Sequence, residues 1–277
     1  PKKLIPWQLD IDLTNVCNQD CYYCNSADFR AAEPKHQSLS DYLIMLDRVA
    51  DWRSHDPNTV GSTSNVIFSG GGEPTMFKGF EKVVERSITH GFLTAMNSNG
   101  ANLHRLLDIP SHLIKQMAYI GLDIDSGNPK TYEKIRRSKT KTSPFDKIKA
   151  TAAALTARGA PLDVKGLLLN ENSSTAELEA LFVYAVDVGA REVHLRPGVI
   201  DDIAFPITDR MTSDVARLSI KYKMPAHISI GRNEPRTYKK CHQLFLFPSF
   251  CADGYIYLCC EYKGNSQFKL CKWTEEF

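Results

Sequence analysis

The sequence has almost no net charge: 34 Lys and Arg against 32 Asp and Glu leave a formal +2 over 277 residues. That balance supplies no broad field for nucleic acid or an anionic membrane surface, so partners have to be sought in local sites. Nor is there an apolar run long enough to span a membrane, and the opening Pro1-Lys2-Lys3-Leu4-Ile5-Pro6 lacks the apolar core of a signal peptide. A reducing, cytoplasmic setting is expected, and there eight cysteines read as metal ligands or buried thiols rather than disulfides. The eight histidines are scattered without metal-ligand spacing, and none is nominated. The chain begins at Pro1 and not at Met, which leaves room for sequence ahead of it. What is present is ample core material. At 43% hydrophobic residues, disorder and fibres are excluded, and the length suits one large domain or one with a small appendage.

Residues 7–13 alternate apolar and polar side chains and predict a strand. Helical spacing follows over 38–50, with Ser40 as a cap, and the polar stretch 54–64 reads as a loop. Strands are expected at 66–69, 92–96, 119–124, 162–169 and 192–195. Between and after them come helices at 80–89, 145–158, 175–188 and 212–221, with short ones at 103–107 and 113–117. Strands alternating with helices predict an α/β fold with parallel strands and helical crossovers. Six such units are too few to close an eight-stranded barrel and suit an open (β/α)6 partial barrel over residues 1–230, with its chemistry at the carboxyl ends of the strands. Near residue 230 the rhythm stops. Residues 231–277 hold five of the eight cysteines and a turn signal at Ala252-Asp253-Gly254, and read as a small Cys-rich domain built on a β-hairpin.

The first predicted strand runs into Thr14-Asn15-Val16-Cys17-Asn18-Gln19-Asp20-Cys21-Tyr22-Tyr23-Cys24. C-x3-C-x2-C lets one loop aim three thiolates at a common centre and leaves a fourth position unfilled. An iron–sulfur cubane takes four cysteines, one per iron, so three imply one iron open to another ligand. Structural zinc uses four closed ligands, usually in two separated pairs, and is the weaker reading; incidental cysteines are weaker still. Downstream, Val66-Ile67-Phe68-Ser69-Gly70-Gly71-Gly72-Glu73-Pro74 joins an apolar strand to a glycine-rich turn. The cysteine loop with its aromatic Tyr23 and this strand-then-GGEP element resemble, in order and spacing, the signature of the radical S-adenosylmethionine (SAM) superfamily.

The resemblance implies a [4Fe–4S] cluster on Cys17, Cys21 and Cys24 whose open iron is chelated by the methionine end of SAM. It implies reductive cleavage to a 5′-deoxyadenosyl radical, which leaves the hard chemistry to the cofactor and the positioning to the protein. Glu73, with Gly71 and Gly72, would then accept from the methionine ammonium, and Tyr23 would lie against the adenine. Gly121-Leu122-Asp123-Ile124-Asp125-Ser126-Gly127 resembles the family's fourth-strand stretch, with Asp123 in place of the usual serine as a partner for SAM. Asn99, Lys165, Asn170 and Arg196, at or after strand ends, are further SAM or substrate candidates. The basic run 136–141 is expected to be a solvated loop.

Cys241, Gly254 and Cys259 form C-x12-G-x4-C, resembling the opening of the Twitch/SPASM extension that carries an auxiliary [4Fe–4S] cluster in some relatives; Gly264-Asn265 and Trp273 continue the likeness. Cys260 and Cys271 are the candidates to complete that set. Cys251, a downstream segment or an open site are the alternatives. The implied enzyme oxidises or cross-links a peptide or protein, helped by a one-electron reductant such as flavodoxin or ferredoxin. Dehydrogenation or epimerisation of a sugar or nucleoside is the alternative, and an iron–sulfur electron carrier the outside one.

Overall fold

Alternating burial builds the sheet. Leu9 and Ile11 are buried in β2 (Gln8–Ile11), and Val66 and Phe68 in β4 (Asn65–Phe68), so each strand turns one apolar row into the core. The computed structural model describes residues 3–33, 35–51, 59–60, 62–201, 203–229, 241 and 246–274. Ahead of β2 lies β1 (Lys3–Leu4), which pairs in parallel with β3 (Thr59–Val60). After β4 come β5 (Leu93–Ser98), β6 (Tyr119–Asp123), β7 (Leu162–Leu168) and β8 (Val193–Pro197). Then follow the two-residue pair β9 (Val199–Ile200) and β10 (Ile203–Ala204), then β11 (Ala226–Ile228), β12 (Ser249–Phe250), β13 (Tyr255–Tyr257) and β14 (Lys269–Lys272).

The helices are α1 (Ala27–Ala32), α2 (Leu39–Asp51), α3 (Phe80–Thr89), α4 (Ser111–Ile114), α5 (Pro129–Arg136), α6 (Phe145–Ala157), α7 (Thr175–Asp187) and α8 (Asp209–Tyr222). In α2 the buried Tyr42, Met45, Leu46 and Val49 recur at helical spacing and meet the sheet. Side-chain caps fix other starts: Ser174 accepts from Glu177 N ahead of α7, and Asn128 accepts from Lys130 N ahead of α5, whose Pro129 occupies the first turn.

One ten-stranded sheet runs in the order β11-β8-β7-β6-β5-β4-β2-β12-β13-β14. Pairing is parallel from β11 through to β12, and β12, β13 and β14 continue antiparallel. The sheet is therefore open, as a partial barrel requires. A parallel strand beyond the six expected stands at β11, where three residues give too short a run for alternation to be read. The Asp-Gly turn closes the β12–β13 hairpin in register Ser249↔Tyr257 and Phe250↔Ile256, with Gly254 at φ +90°. Because Phe250 pairs with Ile11, the tail strands extend the barrel's own sheet, and Phe250, Ile256 and Trp273 belong to the same hydrophobic core as Leu9 and Ile11.

Candidate functional site

The cysteine loop leaves the carboxyl end of β2 and the glycine turn leaves that of β4, and the two are bound together by backbone. Gly72 N donates to Thr14 O (2.7 Å) and Glu73 N to Val16 O (2.9 Å). This approach explains the glycines. A Cβ on Gly72 would overlap the Val16 carbonyl, and one on Gly71, at φ +50°, would stand 2.5 Å from Asn15 Oδ1.

Cys17, Cys21 and Cys24, each partly exposed, line one cavity of about 340 Å3 with Gly71, Gly72, Glu73, Tyr23, Asn99, Asp123 and Arg196. Burial pushes the thiols of Cys17 and Cys21 up from their ordinary range; coordination is what removes the proton from a thiol so placed. Arg30, at the end of the loop's own α1, is buried, holds Nη2 3.5 Å from Cys24 Sγ and leaves Nε without a hydrogen-bond partner. A buried cation with an orphaned nitrogen, lining the same cavity as the three thiols, fits an anionic iron–sulfur cluster. Among the described residues no three His, Cys, Asp or Glu side chains converge as ligands of one ion; a cluster with a thiolate on each of three irons needs no such convergence.

Glu73 is fixed before any ligand arrives. Its Oε1 accepts from Thr75 N (3.1 Å), Thr75 Oγ1 (2.5 Å) and Ser98 Oγ (2.8 Å), and its Oε2 from Asn99 N (2.8 Å). Burial raises its pKa, while the Thr75, Asn99 and Ser98 donors oppose the rise. Asn99 also sends Nδ2 to Asn18 Oδ1 (2.8 Å) and toward Cys17 Sγ (3.7 Å), bridging the end of β5 to the cysteine loop.

A second cavity of about 310 Å3 adjoins the first and shares Tyr23, Gly70, Asn97, Asp123, Arg136, Leu167 and Arg196 with it. Asp123, Lys165, His194 and His227 stand in register across β6, β7, β8 and β11. Lys165 Nζ donates to Asn97 Oδ1 (2.7 Å) and sits 4.1 Å from the centre of the Tyr119 ring, and burial lowers its pKa. Burial raises the Asp123 carboxyl to about 6 against the pull of Arg136 and Lys165. Burial likewise lowers His194 to about 4, helped by Arg196, His227 and Lys165, so it is neutral near pH 7. Arg196 is exposed at the mouth. Asn170 is exposed and lines neither cavity.

Sequence reasoning missed several site residues. Arg136 is not part of a solvated loop: its Nε lies 2.7 Å from Asp125 Oδ2 in an ion pair with almost no exposed surface. Tyr23 donates its hydroxyl to the same Asp125 oxygen (2.5 Å), and Asp125, at φ +61°, accepts from Leu167 N on its other oxygen. Asp20 N donates to the carbonyls of Arg136 and Arg137, and Lys139 N to Asn18 O, so the basic run forms the outer support of the cysteine loop. The sequence signal for Asp125 was its position two residues beyond Asp123.

In the tail, Cys259 and Cys260 stand at the start of a 3-10 turn (Cys260–Tyr262), Cys271 lies in β14, and Cys241 is partly buried, its immediate neighbours in sequence outside the described residues. As for the cysteine loop, no three of the described tail cysteines converge on one ion, which a cluster does not require. Cys251 is buried, with its thiol directed to Ser249 O (3.9 Å). From the same segment Glu261 reaches the wall of the first cavity.

A family model described as the Radical SAM superfamily matches residues 11–179. An S-adenosylmethionine-dependent nucleotide dehydratase from Selenomonas ruminantium is 27% identical over 127 residues, 45% of this chain and 41% of the dehydratase. SuiB from Streptococcus suis, solved with S-adenosylmethionine, superposes with TM-score 0.73 at 14% identity, over 99% of this chain and 64% of SuiB. The anSMEcpe structure with AdoMet and the Cp18Cys peptide gives TM-score 0.64 at 14% identity, over 98% of this chain and 78% of that one. The chain thus spans under half of the dehydratase and under two thirds of SuiB.

Proposed function

Because the chain belongs to the radical SAM superfamily, we propose that it cleaves S-adenosylmethionine reductively and abstracts hydrogen from a C–H bond of a peptide or protein, leading to an oxidation or a cross-link. The family implies SAM and a [4Fe–4S] cluster as cofactors, and together these supply the 5′-deoxyadenosyl radical when bound. The protein's part is placement.

One observation carries the reading: the three-cysteine loop and the glycine turn are hydrogen-bonded to each other on one cavity, with Glu73 pinned between them. Cys17, Cys21 and Cys24 hold the cluster. Glu73, Gly71 and Gly72 receive the methionine ammonium, Glu73 Oε2 having accepted only one hydrogen bond, from Asn99 N. Tyr23, held by Asp125, offers its ring to adenine, and Asn99, Asp123, Lys165 and Arg196 orient the rest of SAM and the substrate. A peptide is favoured by the likeness to a fold solved with a peptide, over 98% of this chain and 78% of that one. The likeness to a nucleotide dehydratase and the cationic Lys165 and Arg196 favour the second reading, a reaction on a nucleoside-type small molecule. An auxiliary cluster on Cys241, Cys259, Cys260 and Cys271 is proposed from their resemblance to the Twitch/SPASM extension, and a flavodoxin or ferredoxin is the proposed reductant.

The test is iron and sulfide per chain after anaerobic reconstitution, with 5′-deoxyadenosine formation from SAM and dithionite. Wild type should cleave SAM, and Cys17→Ala/Cys21→Ala/Cys24→Ala should lose about four irons and all cleavage. Remaining iron in that variant places a second cluster in the tail. Zinc, or no cleavage by the reconstituted wild type, overturns the proposal.

A further inference from the structure

The first turn of the cysteine loop is reached from a distant part of the chain. Asp12 follows the last residue of β2 and is fully buried, and its Oδ1 accepts from Lys263 Nζ at 2.7 Å, across 251 positions of sequence. The Lys263 ammonium is itself almost wholly buried. The Cys251 thiol stands beside this carboxylate as a second donor. The ammonium is also packed on the glycine turn: a Cβ on Gly70, at φ +79°, would overlap Lys263 Nζ and come within 2.7 Å of Asp12 Oδ1. Two residues upstream, Glu261 lines the cavity shared by the three cysteines and Glu73.

The same segment grips the other side of the loop. Gly264, at φ +81°, lies so close to Phe29 of α1 that a Cβ would stand 2.7 Å from its ring, and α1 carries Arg30 to Cys24. Gln37 Nε2 donates to Ala252 O (2.8 Å) in the β12–β13 turn.

An isolated buried pair is weak evidence of stability, because the cost of desolvating two charges offsets their attraction. What such a pair does supply is a fixed relative position, since both charges are held where water does not reach them.

We infer that Lys263 is a positioning residue for the SAM site: through Asp12 and its contact with Gly70 it holds the glycine turn at its spacing from the cysteine loop, and it sets Glu261 in the cavity wall. The C-terminal segment is then a working wall of the site and not only a carrier of cysteines. The part concerning SAM rests on the proposed function; the part concerning the turn does not.

Amide hydrogen exchange on the apo chain tests the second part directly. Gly72 N and Glu73 N, whose hydrogen bonds tie the turn to the loop, should exchange about tenfold faster in Lys263→Met and unchanged in Lys269→Met, a tail lysine that packs on Tyr255 instead. Asp12→Asn/Lys263→Met removes both charges of the pair, so its thermal midpoint should return toward wild type while the two amides stay fast. Protection that recovers with the midpoint would make the pair a simple brace and overturn the inference, as would unchanged exchange in Lys263→Met. On the reconstituted chain, the SAM dissociation constant of the double variant should rise about tenfold at unchanged iron content, with a weakened SAM-induced change in the electron paramagnetic resonance of the reduced cluster. Wild type that takes no SAM sinks the proposed function. Wild type that binds SAM while the double variant binds equally well sinks this inference alone.

Discussion

Asp123 shows how one side chain's environment sets its chemistry. It stands opposite Lys165 in the β6–β7 register, yet burial outweighs that cation and the nearby Arg136 and raises the carboxyl to about 6. Ionisation therefore costs more in the folded chain than in the unfolded one. Its contribution favours the fold below the ordinary value of 3.8 and is lost as pH rises through about 6. His194 works in the opposite sense: with a folded value near 4, its contribution is present above 6.5 and lost as pH falls. A carbon-13 titration should place the Asp123 midpoint close to pH 6, and Lys165→Met should move it higher because a lowering charge is gone. A midpoint near 4 in wild type contradicts the burial account. The residue lines both cavities, and on the proposed function a ligand carrying positive charge there should pull the same midpoint down.

At the scale of elements, the decisive contact is loop against turn. Neither the cysteine loop nor the glycine turn has regular structure of its own, and each supplies the other's backbone partners: Thr14 O and Val16 O for one side, Gly72 N and Glu73 N for the other. Gly72 has no positive φ and so no torsional need for glycine; what it needs is room, since a Cβ would meet backbone that cannot rotate away. Gly72→Ala is expected to cost on the order of 3 kcal/mol and to lower iron incorporation sharply. Gly79→Ala is a useful contrast: its Cβ meets only the flexible tip of Leu39, at 3.0 Å, although its φ of +99° adds strain. Denaturant midpoints and iron per chain for the two variants separate the explanations. If Gly72→Ala folds and loads iron like wild type, close approach is not what that position is for.

At the scale of the whole molecule, the ten-stranded sheet carries the barrel strands and the tail strands alike. Residues 231–277 were expected as a small domain of their own, and their described strands join β2 through β12, with Trp273 buried against Tyr42 at 5.1 Å between ring centres and donating Nε1 to Cys251 O (2.9 Å). Tyr42 in turn donates its hydroxyl to the carbonyls of Asp12 and Leu13, the last residues before the cysteine loop. A tail so joined should not melt by itself. Calorimetry of wild type is expected to show one transition, and Trp273→Ala should lower it by about 3–5 kcal/mol of stability without splitting it. A separate early transition for the tail would mean that the β2–β12 pairing does not carry cooperativity.

Much of this was determined by the sequence alone. Local spacing writes the cysteine triplet, the glycine turn, the strand–helix alternation and the Asp-Gly hairpin, because each depends on neighbours a few residues apart. Membership in the radical SAM superfamily follows from the same short motifs. The tertiary structure decided what depends on distance along the chain. It turned Arg136 from an apparent surface charge into the buried partner of Asp125, set Lys263 on Asp12, brought Arg30 to Cys24 and led the tail onto the edge of β2. No periodicity records such pairings. A lone Lys or Arg reads the same in sequence whether water or a carboxylate faces it, and only the folded chain's exclusion of water makes the difference.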